Sequence, residues 1–258
     1  AGLVCWNRRD LPALMSIAEE ALEILPAGDG KRVEFLFGKA TVLDELGDHG
    51  AAQELWRQII GDYRRLGRAG RIPETVSFLA RSHRMAGRLR CALRLYWTAL
   101  ALARSFGAVS SIASACHNIG YVAGLMGLHS LAWEHQLEAI RYYASRSSGM
   151  EPTARVGAAL TAIDMGKSHR ALRVLAPLTA EIRTDPTLAG SGLAFNAAML
   201  TALAHGENGD WSAMRALVST HQPVSDDVNQ VLEFAASLAE AAGEKQLAIS
   251  VRDRKSGR

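Results

Sequence analysis

An all-α solenoid of stacked helix hairpins is the fold class this sequence predicts, on three observations. A Gly separates helical stretches at Gly47, Gly87 and Gly127, and 87 − 47 = 127 − 87 = 40. Looser copies of the same mark stand at Gly166, Gly209 and Gly243. Hydrophobic residues make up 48% of the 258-residue chain, much of it Ala and Leu, which favour helix. No long stretch alternates Val, Ile or Thr with polar residues, so no strand is expected. A unit that repeats at this interval packs on its neighbours, which predicts one array over 1–258 and no inter-domain linker.

The units follow in order. Leu14, Ala18 and Ala21-Leu22 match only the second helix of a unit, whose first helix would be the short segment up to Trp6. That first unit reads as clipped, and its apolar Leu3, Val4 and Trp6 would leave a face uncovered for self-association through the end repeats. Ala40, Leu43, Gly47-Asp48, Ala52, Trp56 and Ile59 form the next unit. Leu79-Ala80, Gly87, Ala92, Tyr96 and Ala99-Leu100 repeat it at equal offsets. The clearest unit has helices over 113–126 and 131–140, with Gly120, Ala132 and Ala139 where the two helices approach. Ala159, Ala162, Gly166, Ala171 and Leu175 continue the pattern, followed by Ala202, Gly209-Asp210-Trp211 and Met214. A last copy runs through Ala236, Gly243, Leu247 and Ala248.

The prolines punctuate this scheme. Pro12, Pro73 and Pro152 stand near helix starts, where a missing N–H costs nothing. Pro26, Pro186 and Pro223 fall in connections, and Pro177 should kink its helix or shift its start. Segments 26–31, 146–152 and 184–191 read as loops. The basic tail 252–258 reads as a frayed, solvated end.

Charge and cysteine content bound the function. A formal charge of +3, from 29 Lys+Arg against 26 Asp+Glu, gives no reason to expect nucleic acid. Cys5, Cys91 and Cys116 form no Cys-x-x-Cys pair, which suits a reduced, cytoplasmic protein. No apolar run approaches the ~20 residues that span a bilayer. No enzyme is expected, and no cofactor or metal. Gly166-Lys-Ser168 lacks the earlier Gly of a phosphate-binding loop, since position 161 is Thr. Cys116 and His117 are neighbours on a helix and cannot face each other. No two His stand at i, i+4 with a carboxylate to hold a metal. Asp226-Asp227 suits a helix start.

The spacing of Gly or Ala, Gly, then Ala with an aromatic between resembles the tetratricopeptide repeat (TPR). The unit is near 40 residues where the usual one has about 34. Longer units of this kind look like those of actinobacterial antibiotic regulatory proteins, signal-transduction ATPases and bacterial peptide-sensing regulators. The wording His117-Asn-Ile-Gly120 and His135-Gln-Leu-Glu-Ala139 is close to that subgroup. The resemblance implies a right-handed superhelix of about six to seven TPR-like hairpins. It also implies a bacterial regulatory, transcription-regulating role in which the concave groove docks a protein or peptide segment, from another chain or its own.

In such an array the first helix of each unit lines the concave wall, and residues three and four apart share a face. That face holds Phe37, Thr41, Asp44 and Glu45, then Glu74, Ser77, Phe78, Arg81 and Arg84, then His117, Asn118, Tyr121 and Leu125. Val156, Leu160, Ile163 and Asp164 follow, then Asn196, Met199 and Leu203. The groove should be polar toward the N-terminal half and apolar toward the C-terminal half. The resemblance places Asn118 where an Asn grips an extended peptide backbone, since an amide offers both donor and acceptor. The alternative is a surface Asn with no such task. Arg81 and Arg84 suit a carboxylate or phosphate, or equally an ion pair with Glu74 or with Asp44-Glu45. Tyr121 and Phe78 suit stacking on a ligand or packing between helices. Two other functions fit the sequence: a structural or oligomerisation scaffold, and a small-molecule sensor using the apolar half-groove.

Overall fold

The computed structural model describes residues 10–26, 29–146, 149–189, 191–220 and 229–255. Among these every regular element is helical. The chain divides into two compact units, residues 1–126 and 127–258.

In the first unit α1 (Leu11–Ile24) packs on α2 (Arg32–Glu45), as the second helix of a unit should. Then α2 packs on α3 (His49–Arg65), α3 on α4 (Ile72–Met85), α4 on α5 (Leu89–Ser105) and α5 on α6 (Val109–Leu125). The alternate helices α4 and α6 also touch. Local chemistry starts these helices. Asp10 and Asp48 each accept the N–H of the residue three further on, at 3.1 Å, which satisfies an otherwise orphan donor. Pro12 and Pro73 sit in first turns. On α3, Ala52, Trp56, Ile59, Ile60 and Tyr63 recur on one face, and all are buried. Ala40, Ala52, Ala80 and Ala92 are fully buried where a larger side chain would hold the helices apart.

In the second unit α7 (His129–Ala144) packs on α8 (Glu151–Asp164), and α8 on α9 (Ser168–Thr184). A short α10 (Pro186–Ala189) precedes α11 (Gly192–Glu207), which packs on α9 and α12 (Trp211–Thr220). α13 (Asn229–Ala241) pairs with α14 (Lys245–Lys255). Here too alternate helices touch, α8 with α11 and α11 with α13. Phe195, Met199, Leu200 and Leu203 on α11 pack with Leu175, Leu178, Met214, Val218 and Leu247 in one core. At Gly157 an added Cβ would lie 2.9 Å from the Gln136 amide, so α8 comes close to α7 only because that position is bare.

The turns are built alike. Gly47, Gly87, Gly127, Gly166, Gly209 and Gly243 all have positive φ. At Gly87 its N–H reaches Arg84 O at 2.9 Å, and the Arg88 N–H reaches His83 O at 2.8 Å. This pair of bonds closes a helix end through a left-handed residue. Gly67 and Gly107, which the sequence pattern left unmarked, do the same between α3 and α4 and between α5 and α6.

Some expectations are corrected. The segments read as loops are shorter, because α8 starts at Glu151 and Pro186–Ala189 is helical. Pro177 lies inside α9 without shifting its start; it is exposed, where its missing N–H costs the core nothing. The tail is not frayed at its beginning, since α14 continues to Lys255 and Arg252 bonds Glu240. Leu3, Val4, Cys5, Trp6, Pro223, Asp226, Asp227 and residues 256–258 lie outside the described residues.

Two Gly→Ala changes that meet no neighbouring atom within 4 Å should have opposite signs. Gly87→Ala, at φ 74°, should cost about 1–2 kcal/mol. Gly38→Ala, inside α2, should gain up to about 1 kcal/mol. Urea midpoints of the two variants against the parent check this.

Candidate functional site

The candidate site is built on the first unit, from the faces of α2, α4 and α6. Its foundation is an aromatic cluster. Phe37 meets Trp56 and Phe78 edge-on with centroids 4.8 Å apart in both cases, and Trp56 stacks on Phe78 at 5.1 Å. Trp56 is fully buried, and its indole N–H donates to Asp44 Oδ2 at 2.9 Å. The other carboxylate oxygen of Asp44 faces His49 Nδ1 at 3.1 Å. Asp44 is 1% exposed, so it belongs to this buried network and not to the groove wall. A buried carboxylate is tolerated because both oxygens are engaged. Gln53 extends the polar layer, donating to Ser82 Oγ at 3.2 Å and accepting from Arg88 at 2.7 Å.

Two hollows share Phe78 and Arg81. The smaller, about 310 Å³, is lined by Leu14, Phe37, Gly38, Thr41, Val42, Phe78 and Arg81. Thr41 is nearly buried, and its hydroxyl donates to Phe37 O at 2.9 Å. The larger, about 380 Å³, is lined by Glu74, Ser77, Phe78 and Arg81 of α4, Tyr96 of α5, and Ser110, Ser111, Ser114 and Asn118 of α6. Arg81 bonds Glu45, and Glu74 bonds Arg71 at 2.9 Å. Arg81 therefore has the ion pair with the preceding unit that its sequence position allowed. The Arg84 guanidinium lies over the exposed ring of Tyr121, 5.2 Å from its centroid, a cation–π contact. The Asn118 amide donates to Ser114 O at 2.9 Å. His117 is half-buried on α6 and lines neither hollow.

Phe37, Thr41, Glu74, Phe78, Arg81 and Asn118 thus line the two hollows, and Arg84 and Tyr121 pair on α4 and α6. Phe37 and Phe78 also pack between helices, the other role open to Phe78. Tyr96, Ser110, Ser111 and Ser114 also line the wall, beyond the face that the three-and-four spacing marks. Tyr96 comes from a second helix, at the offset Trp56 has from its own turn (96 − 87 = 56 − 47).

The second unit departs further from expectation. Asn196 stands half-buried on α11. Ile163, Met199 and Leu203 are 4%, 1% and 1% exposed, so they are core and not an apolar groove wall. Only Leu160 and Asp164 of the α8 face are open; burial raises the Asp164 carboxyl despite His129 3.9 Å away. A hollow of about 440 Å³ lies instead between α9, α11 and α12, edged by Arg183 and His205. Gly166-Lys-Ser168 is a helix turn, with Ser168 buried and bonded to Glu207.

No protein-family model matches the sequence, and no curated protein sequence matches it either. Solved structures do match. The apo form of RapI has a TM-score of 0.76 at 14% identity, over 99% of this chain and 94% of its own. The Rap conjugation gene regulator of plasmid pLS20, in complex with the Phr* peptide, gives 0.67 at 17%, over 99% and 73%. A tetratricopeptide repeat protein from Parabacteroides merdae gives 0.63 at 14%, over 99% and 90%. At these identities the likeness is one of fold, and it does not extend to the actinobacterial subtype.

Two measurements probe the foundation of the site. Asp44→Ala should cost about 1–3 kcal/mol in urea unfolding, because it strands the buried Trp56 indole N–H. His83 is held below its ordinary pKa of 6.5, first by burial and then by Arg88 and Arg57, which outweigh Asp44. Its folded form resists protonation, so its stabilising effect is present above the unfolded pKa and is lost as pH falls below it. Between about pH 7.5 and 5.5 the thermal midpoint of the parent should drop more than that of His83→Gln. The unit repeats, the glycine-closed hairpins and the match to solved repeat proteins agree that this chain has a TPR-type fold of consecutive helix hairpins.

Proposed function

We propose that the chain is a regulatory binding module that docks an extended peptide, or a peptide-like segment of a partner, along α2, α4 and α6. The observation that carries this reading is the pair of adjoining hollows that share Phe78 and Arg81. Together they offer an apolar wall at one end and hydroxyl, amide and guanidinium groups at the other. That mixture suits alternating side chains and a polar backbone. The Asn118 amide keeps acceptor capacity beyond its bond to Ser114, and a rotation would free its donors for a peptide bond. The Phr* peptide complex of a Rap regulator of like fold supports a peptide as the ligand class. The array over 1–258 as one solenoid belongs to the same proposal.

On this reading the module is not an enzyme and needs no cofactor. Its output is regulation, transcription among the processes controlled, in the cytoplasm of a bacterium. No helix among the described residues is long and apolar enough to cross a membrane.

A phage-displayed random peptide library, panned on the whole chain, tests the proposal. Synthetic copies of captured peptides should bind in calorimetry. Asn118→Ala and Phe78→Ala should each weaken them about tenfold or more, the cost of one good contact. The Asn118→Ala thermal midpoint should stay at the parent's value. Capture of no peptide, or affinities untouched by both changes, would overturn it.

A further inference from the structure

Arginine is unevenly spread along this chain. From Arg57 to Arg104 there are eleven Arg, no Lys and only two acidic residues, Asp62 and Glu74. The rest of the chain holds 29 − 11 = 18 Lys+Arg against 26 − 2 = 24 Asp+Glu, so it is net acidic. Several of these arginines are engaged within the first unit. Arg65 pairs with Asp62, Arg68 with Glu34 at 4.0 Å, Arg71 with Glu74 and Arg81 with Glu45. Arg84 lies over Tyr121. By contrast Arg57, Arg64, Arg88, Arg90 and Arg94 are exposed and have no carboxylate partner among the described residues.

All five stand on α3, on α5 or at the residue that opens α5. Both helices pack on α4 and run in the same direction. Gln53 marks the face of α3 that looks toward α5, since its carbonyl accepts from Arg88 at 2.7 Å. Arg57 and Arg64 follow Gln53 at four and eleven residues, on that same face. On α5 the Arg94 guanidinium reaches back to Cys91 Sγ at 3.5 Å, toward Arg88. Burial first, then Arg88 and Arg57, hold the His83 imidazole below its ordinary pKa, so guanidinia from both helices approach the end of α4. Arg57 to Arg64 spans about 10 Å and Arg90 to Arg94 about 6 Å along their helices. Like charges gathered without counter-charge repel one another and weaken a fold. Glu54 is the one exposed carboxylate on α3 and α5. Charge complementarity therefore calls for an acidic partner.

Guanidinium without ammonium suits planar oxyanions held through paired bonds. The extent of the face selects protein over nucleic acid. A nucleic-acid strand carries a charge about every 3.4 Å along its whole length. It would run past this short face onto the net-acidic remainder of the chain, whereas a short acidic segment ends where the face ends. Trp97, 39% exposed and three residues past Arg94, adds an aromatic to the arginines, the pairing that dominates protein interfaces. We infer that the outer face of α3 and α5 is a second docking surface, for an acidic segment of a partner protein. The Asp and Glu carboxylates of that segment accept from Arg57, Arg64, Arg88, Arg90 and Arg94. This surface is apart from the wall of α2, α4 and α6 and does not depend on the peptide reading.

Fluorescence anisotropy on the whole chain tests this, with a labelled Glu/Ala peptide as the acidic probe. A labelled oligothymidylate and a short DNA duplex serve as nucleic-acid probes. The native chain should bind the Glu/Ala peptide, and more weakly as salt rises. The double changes Arg57→Gln with Arg64→Gln, and Arg90→Gln with Arg94→Gln, should each weaken it about tenfold. Arg173→Gln with Arg183→Gln removes the same charge from α9, and Asn118→Ala alters the wall; each should change the affinity less than about twofold. Circular dichroism confirms that the variants are folded, which the exposure of these side chains favours. No binding of the Glu/Ala peptide, or an equal loss in the α9 variant, overturns the surface. A tenfold loss in Asn118→Ala places the probe in the wall and also overturns it. Tighter binding of either nucleic acid, lost in the same α3 and α5 variants, overturns the protein partner.

Discussion

A helix can reverse into a second helix within three residues only if one of those residues takes the left-handed conformation, which glycine adopts without a Cβ penalty. Everything else in this molecule depends on that constraint. Between Gly47 and Gly127 such a glycine occurs every 20 residues, closing both ends of successive helices. The helices are thereby cut to nearly equal lengths and laid antiparallel. A helix pair of this size cannot bury its apolar stripe alone, so each pair packs on the next.

Once the helices are cut to length, what remains is how closely they lie. Fully buried alanines let α2, α3, α4 and α5 approach. Large residues then enter at one point per repeat. Trp56 and Tyr96 occupy the same place in successive pairs and are treated in opposite ways. Trp56 has its single N–H satisfied by Asp44 and becomes pure structure. Tyr96 turns its hydroxyl toward the Arg84 side chain and lines the larger hollow. The same repeat position thus serves as core in one unit and as the floor of a hollow in the next. Local repeats differentiate in this manner: the backbone frame is reused and the large residue at one site takes different partners.

The faces of α2, α4 and α6 grade from apolar to polar, from the Phe37, Phe78 and Trp56 cluster to the hydroxyls of α6. Ion pairs between successive units, such as Arg81 with Glu45, tie the polar rim together. They sit near the surface, where such pairs contribute little to stability. Their consequence is local: Arg81 pairs with Glu45 and Arg71 with Glu74, so each acidic group at this rim has a basic partner.

The hairpins were legible in the sequence because they rest on local rules. Gly47, Gly87 and Gly127 each follow a helical stretch and precede another, and 3.6-residue periodicity reveals which helix face is apolar. First-helix residues such as Phe37, Phe78, Arg81 and Asn118 could be assigned to one wall by the same arithmetic. That arithmetic failed where a partner lies far along the chain. Asp44 shares its helix face with groove residues, yet an indole twelve residues later pulls it into the core. Ile163, Met199 and Leu203 looked like groove wall until α9, α12 and α13 closed over them. Sequence alone determined the turns at Gly47, Gly87 and Gly127, since capping and turn chemistry act within a few residues. Only the tertiary structure decided which polar groups find partners and which do not, since hydrogen bonds across helices depend on distances that no local pattern encodes.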